Sequence, residues 1–171
     1  MNATPKNAVV EFLQKYGSLG ILLDTNILLM YIVGRHDPTC IEKFKRTNTF
    51  TVKDYTFLRE FLLHFREVIA TPHILTEVSN LAAHLNEPNK ASCFESFAAD
   101  IQTFDEHTVA ASSIAATSTF KRLGITDASL PLIARDRFLV LTDDLVLYAE
   151  LLKSGVDAIN FNHIRLLGWA T

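Results

Sequence analysis

Five acidic residues stand where a chain of this kind could do chemistry. Asp24 closes a short apolar run in ILLDTN, and Asp143 and Asp144 close another in FLVLTDD. Asp127 follows a glycine in LGITDA, and Glu77 interrupts the apolar helical pattern PHILTEVSNLAA. Several carboxylates packed together repel one another unless a cation lies between them. Mg²⁺ and Mn²⁺ are hard ions that prefer such oxygen ligands. An ion of this kind neutralises an anionic phosphodiester, lowers the pKa of bound water and stabilises a leaving oxygen. Each acid also has a plainer local role. Asp24 can cap the helix after it, and Asp127, Asp143 and Asp144 suit the first turn of a helix dipole. Glu77 can sit at the edge of an inward stripe and reach water, because glutamate is rarely buried. Only their coincidence at one edge of one sheet argues for a site.

The elements that must bring them together read as follows. Residues 4–16 carry Val9, Val10, Leu13 and Tyr16 at helical spacing and end at Gly17. Gly20–Leu23 is a continuous apolar run, as in a parallel strand covered on both faces. A helix follows from Thr25 or Asn26 to about Val33, closed by Gly34. Asp37-Pro38 signals a helix through about Lys45, and Asp54 opens another to residue 65. Val68–Ala70 is a strand, and Thr71-Pro72 starts a helix with Ile74, Leu75, Val78, Leu81 and Ala82 facing inward. Further helices are expected from Pro88 to about Phe104, from Ser113 to Leu123, and from Asp127, capped by Thr126, to about Arg135. Pro131 should kink the last of these or delay its start. Thr108–Ala111 is a short extended piece. Phe138–Leu141 is a strand, Thr142 caps a helix from Asp143 to Lys153, Val156–Asn160 is a strand, and 162–169 is a final helix. Strands alternating with helices predict an α/β/α three-layer sandwich around a parallel sheet of four to five strands. In open sheets of this type sites lie beyond the carboxyl ends of the strands, where Asp24 and Asp143–Asp144 fall.

The chain has 171 residues, 49% apolar and 20% charged, with net charge −3. That fits a single domain spanning 1–171. A protein that holds nucleic acid by bulk positive charge would be more basic, so any nucleic acid must be held locally. Cys40 and Cys93 lack zinc spacing and read as free thiols of a reducing cytoplasm. The first residues do not resemble a signal peptide, and the longest apolar run, Ile27–Val33, is too short to span a bilayer. No Ser-His-Asp set, phosphate-binding glycine loop or HExxH stands as a rival. His36, His64, His73, His84, His107 and His163 have no ligand-like spacing and read as surface or core residues.

Four of these segments together resemble the motifs of the PIN-domain family of metal-dependent ribonucleases. They are a strand followed by Asp24-Thr25-Asn26, a helical Glu77, Asp127-Ala128 at a helix start, and a strand followed by Thr142-Asp143-Asp144. They occur in family order over residues 21–144. The resemblance implies a PIN-like sandwich, Mg²⁺ or Mn²⁺ as cofactor, and hydrolysis of RNA phosphodiester bonds by an endoribonuclease. It implies Asp24, Glu77, Asp127 and Asp144 as the catalytic, metal-binding acids. Asn26 and Thr142 would hold the carboxylates by hydrogen bonds, with Asp143 at the variable position of its motif.

A toxin-type ribonuclease with an antitoxin or other protein inhibitor is one form of this expectation, and a homodimer is another open point. The N-terminal helix (4–16) and a helical insertion (37–66) depart from the smallest members. The insertion's stripe Tyr55, Phe57, Leu58, Phe61, Leu62 and Phe65 reads as core, or else as a surface for a dimer or inhibitor. Lys43, Lys45, Arg46 and Lys53 read as a solvated face, or else as a guide for RNA. Two alternatives stand beside the nuclease. One is an inactive PIN domain that binds RNA or protein. The other is a different Mg²⁺-dependent phosphohydrolase, against which Asn26 counts, because a dehalogenase-like enzyme would want Asp at that position.

Overall fold

The computed structural model describes residues 5–168. Five parallel strands form one sheet, flanked on both faces by helices in a three-layer α/β/α sandwich. The strands are β1 (Ile21–Leu23), β2 (Val68–Ala70), β3 (Asp105–Glu106), β4 (Leu139–Thr142) and β5 (Ala158–Asn160), in the spatial order β3-β2-β1-β4-β5. The first crossover from β1 runs to β2, and β4 later returns to the opposite side of β1. The order therefore reverses between β1 and β4, and the crevice of an open α/β sheet lies at that reversal. Leu22 pairs with Ile69 on one side and Val140 on the other. The apolar residues of β1 and β4 are fully buried, as continuous apolar runs require.

The helices are α1 (Pro5–Tyr16), α2 (Thr25–His36), α3 (Val52–Leu62), α4 (Pro72–Ala82), α5 (Asn89–Ile101), α6 (Ala111–Ala115), α7 (Phe120–Ala134), α8 (Leu145–Lys153) and α9 (Phe161–Gly168). Residues 4 and 169, at the outer ends of the first and last expected helices, lie outside the described residues. α2 is apolar on nearly every side because α3, α4 and α5 all pack against it. Among the described residues no helix is long and apolar enough to cross a membrane.

Several local expectations are corrected. Gly34 does not close α2; it lies inside the helix, which ends at Asp37. Its missing side chain lets the Tyr55 ring approach, for an added Cβ would meet Tyr55 Cε2 at 2.7 Å. Gly34→Ala is accordingly expected to lose about 1–2 kcal/mol in a thermal melt, overpacking outweighing alanine's helix propensity. An unchanged melting temperature would mean that the ring moves aside freely.

Residues 38–50 form one 3₁₀ turn, Pro38–Cys40, and then further turns rather than a helix. Ile41, Phe44, Thr47 and Phe50 are buried at a period of three, which suits tight turns and not a 3.6-residue repeat. The N–H of Thr47 bonds to Phe44 O and that of Phe50 to Thr47 O, both at 2.9 Å. α3 starts two residues earlier than expected, with Thr51 and Asp54 forming a reciprocal capping box. The expected stripe is core: Tyr55, Leu58, Phe61, Leu62 and Phe65 are buried and Phe57 is half-buried against them, although α3 stops at Leu62 and Phe65 lies beyond it. Lys43, Lys45, Arg46 and Lys53 are exposed.

The strand expected at 108–111 lies at 105–106, where Asp105 pairs with Ile69. The helix expected over 113–123 divides into α6 and the start of α7, and Thr117 Oγ1 accepts the Phe120 N–H at 3.2 Å. Gly124 alone leaves helical geometry (φ 79°, ψ −175°) and divides α7 into two helices, so the stop expected at this glycine holds, the kink is not at Pro131, and the second helix resumes directly after the glycine. Thr126 is thus no cap. Thr142 ends β4, and Asp144 caps α8 in its place.

Candidate active site

β1 and β4 are neighbours, and Leu23 lies opposite Leu141. The next residues, Asp24 just past β1 and Thr142 at the end of β4, therefore stand side by side. The Asp24 N–H bonds to Leu141 O at 3.0 Å, which fixes the turn out of β1. Asp24 is 4% exposed. Its Oδ1 accepts the N–H groups of Asn26 (3.0 Å) and Ile27 (3.2 Å), capping α2. Its Oδ2 accepts a hydrogen bond from the Thr142 hydroxyl. The Thr142 oxygen in turn accepts the Asp144 N–H at 3.0 Å. Asp144 Oδ1 caps α8 through Val146 (2.6 Å) and Leu147 (3.0 Å). The plain capping roles of Asp24 and Asp144 are thus real. They are also what aims both carboxylates beyond the sheet edge.

The remaining acids gather around this pair. Asp143, half-buried, accepts from Asn26 Nδ2 at 3.2 Å. Glu77 is exposed and so stands at the edge of the α4 stripe rather than within it. Its Oε2 accepts the Thr25 hydroxyl at 3.1 Å, which ties α4 to the start of α2. Asp127, three residues past the Gly124 bend, shares with Glu77 a cleft of about 430 Å³.

Their electrostatics follow from this proximity. Burial, then the charge of Asp143, raises the Asp24 carboxyl to about 7, with Asp127 adding to the shift. The three donors on Asp24 favour its charged form, yet desolvation outweighs them. Burial, then Glu77 and Asp144, raises Asp127 to about 6. Burial also raises Asp143, and Arg165 offsets this only weakly. These acids feel one another's charge across elements far apart in sequence.

Two polar residues at this edge escaped the sequence reading. Asn160 ends β5 opposite Thr142 and is 1% exposed; its Oδ1 accepts the Asn162 N–H at 3.0 Å. Asn162 Nδ2 donates to the main-chain oxygen of Asp143 at 3.0 Å. The signal was available: Asn160 ends a third apolar strand on the same edge, as Asp24 ends the first. Thr25 was likewise seen only as part of a motif, although its hydroxyl orients Glu77.

No protein-family model matches the chain, and no curated protein matches it. The site must therefore be judged on its own chemistry. Its donors are all oxygens, and its negative charges are poorly compensated, which suits a hard divalent cation. The spacing is less complete. Among the described residues no three His, Cys, Asp or Glu side chains form a group that could hold one ion as they stand. Donor type and charge fit Mg²⁺ or Mn²⁺, and closure around an ion would require side-chain rotation.

Thr142 is the joint between the two capping acids. Thr142→Val keeps the shape of the strand but leaves Asp24 Oδ2 and the Asp144 N–H without their partner. Activity should fall about 10–100-fold, and the Asp24 carboxyl should rise further, moving the acidic limb of the rate profile to higher pH. A profile with an unmoved limb would show that this hydroxyl does not tune Asp24.

Proposed function

We propose that the chain is a metal-dependent endoribonuclease of the PIN type, hydrolysing RNA phosphodiester bonds. One observation supports this above the rest. Asp24 and Asp144 flank the reversal of strand order, the charges of Asp143 and Asp127 act on Asp24, and those of Glu77 and Asp144 act on Asp127. Asp24, Asp144, Asp127 and Glu77 are the ligands assigned to Mg²⁺ or Mn²⁺. When bound, the ion neutralises the phosphodiester and supplies Lewis-acid activation. The chain itself provides the orientation. Thr142 holds Asp24, Asn26 holds Asp143, Thr25 holds Glu77, and Asn162 holds the Asp143 main chain. These hydrogen bonds limit how far Asp24 and Glu77 must turn to meet an ion.

The lack of a ready three-ligand group favours one second reading, a PIN-type domain that binds RNA or protein without cutting. Purified protein should be incubated with labelled RNA and, in parallel, with a small phosphate monoester, each with Mn²⁺ and with chelator. Cleavage of RNA alone, only with metal, is the expected result. Turnover of the monoester alone would indicate a different phosphohydrolase. Intact RNA under every condition would leave the binding module.

A further inference from the structure

β5 is the last strand of the sheet, so among the described residues its outer edge has no neighbouring strand. Tyr16 of α1 donates to Asp157, the residue before β5, at 2.8 Å and ties α1 across this side. Between α1, α8, β5 and α9 a cavity of about 250 Å³ remains. Its walls are mostly apolar, with Val9 and Phe12 from α1, Ile159 from β5 and Ile164 from α9. Its polar side chains, among the described residues, are Asn160, Tyr148 and His163. The Tyr148 and His163 rings meet edge to face, with centroids 5.7 Å apart. This cavity shares no lining residue with the cleft of Glu77 and Asp127.

Asn160 is the member of this lining that packing does not explain. It is 1% exposed, and its Oδ1 accepts the Asn162 N–H at 3.0 Å. That bond fixes which way the amide is turned, so the unused atom is the donor and not the acceptor. Its Nδ2 has no hydrogen-bond partner among the described residues. A buried donor left unpaired is costly, and nearly all such groups find an acceptor. The Tyr148 hydroxyl and the His163 imidazole can donate as well. Among the described residues the lining includes no Asp or Glu that could accept. A ligand carboxylate accepts several hydrogen bonds at once, and an apolar body attached to it would meet the hydrocarbon walls. Size limits that body, because the volume falls below the roughly 300–1,000 Å³ typical of sites for drug-sized molecules.

We infer that the cavity between α1, β5 and α9 binds a small carboxylic acid with an apolar body, its carboxylate seated on Asn160 Nδ2. Tyr148 and His163 are the further donors available to that carboxylate. Val9, Phe12, Ile159 and Ile164 take the hydrocarbon part.

The probe is benzoate, with benzyl alcohol as a match in shape that lacks the carboxylate. Each is titrated into the isotope-labelled full chain and followed by NMR, where the Asn160 side-chain amide is identified by its loss in Asn160→Asp. Benzoate should bind saturably with a Kd of about 1 mM or tighter, and the Asn160 amide signal should move downfield. Benzyl alcohol should bind at least about tenfold more weakly, because the charge-assisted hydrogen bonds are missing. Asn160→Asp keeps an acceptor for Asn162 but replaces the donor with a carboxylate, and it should abolish benzoate binding. Ala8→Phe fills the cavity from a half-buried position on α1 with Asn160 intact, and it should do the same. The amide spectra report whether each variant is folded. Asp24→Asn should bind benzoate as the wild type does, whatever the outcome for RNA cleavage. No saturable binding of benzoate, an Asn160 amide that does not move, or equal affinity for the two probes would overturn the inference. So would binding that a folded Ala8→Phe retains, or binding that Asp24→Asn loses.

Discussion

Asp24→Asn is expected to abolish RNA cleavage while making the metal-free protein more stable above pH 7. Both effects come from one buried carboxylate. Asparagine can still accept from the Asn26 and Ile27 N–H groups, so the cap on α2 survives. Its amide nitrogen would face the Thr142 oxygen, and that hydroxyl can reverse its role. What disappears is the negative charge. The activity loss should exceed the roughly 10–100-fold cost typical of removing a group that merely orients a metal ligand. On stability the sign is opposite. The shift from 3.8 to about 7 corresponds to on the order of 4 kcal/mol against the ionised form. Asparagine avoids that penalty. Chemical denaturation at pH 8 with chelator should place the variant above the wild type, and at pH 4 the two should converge. A variant less stable than the wild type at pH 8 would mean that the charge is already compensated within the chain.

The second large effect is a pH dependence that metal removes. Asp24 and Asp127 hold their protons more tightly in the folded chain than in the unfolded one. The stability they contribute is full below about pH 4, and it is lost as pH rises through their folded values of about 6 and about 7. The metal-free protein should therefore weaken steadily across this interval. A divalent ion binds the ionised carboxylates and displaces those protons. Saturating Mn²⁺ should raise the melting temperature much more at pH 8 than at pH 5. An equal rise at both values would show that the ion binds elsewhere.

Much of this arrangement was legible in the sequence, for physical reasons. The apolar runs before Asp24 and before Thr142-Asp143-Asp144 are short and bounded by polar residues, as buried parallel strands are, and the connections between strands are long enough for crossovers. Together these properties made the edge of the sheet predictable. Thr71-Pro72 marked α4 because cap and proline chemistry is local. The failures lie where tertiary packing overrides local signals. Gly34 reads as a helix stop, yet it is a landing place for the Tyr55 ring, 21 positions on in a different helix. Asp37-Pro38 reads as a helix start, but the following apolar residues recur every three positions and select turns. Glu77 stands at the stripe edge and reaches water, as its plainer reading had it. Asn160 and Asn162 were missed because a neutral amide at a strand end draws less notice than a carboxylate.

The proposal stands or falls on whether the acids at the tips of β1 and β4 share a divalent ion. The most direct measurement is calorimetric titration of Mn²⁺ into the metal-free chain at pH 7.5, beside Asp24→Asn and Asp144→Asn. Saturable binding to the wild type with proton release, lost or greatly weakened in both variants, is the expected result. Binding of equal strength in all three proteins, or none in the wild type, would contradict it.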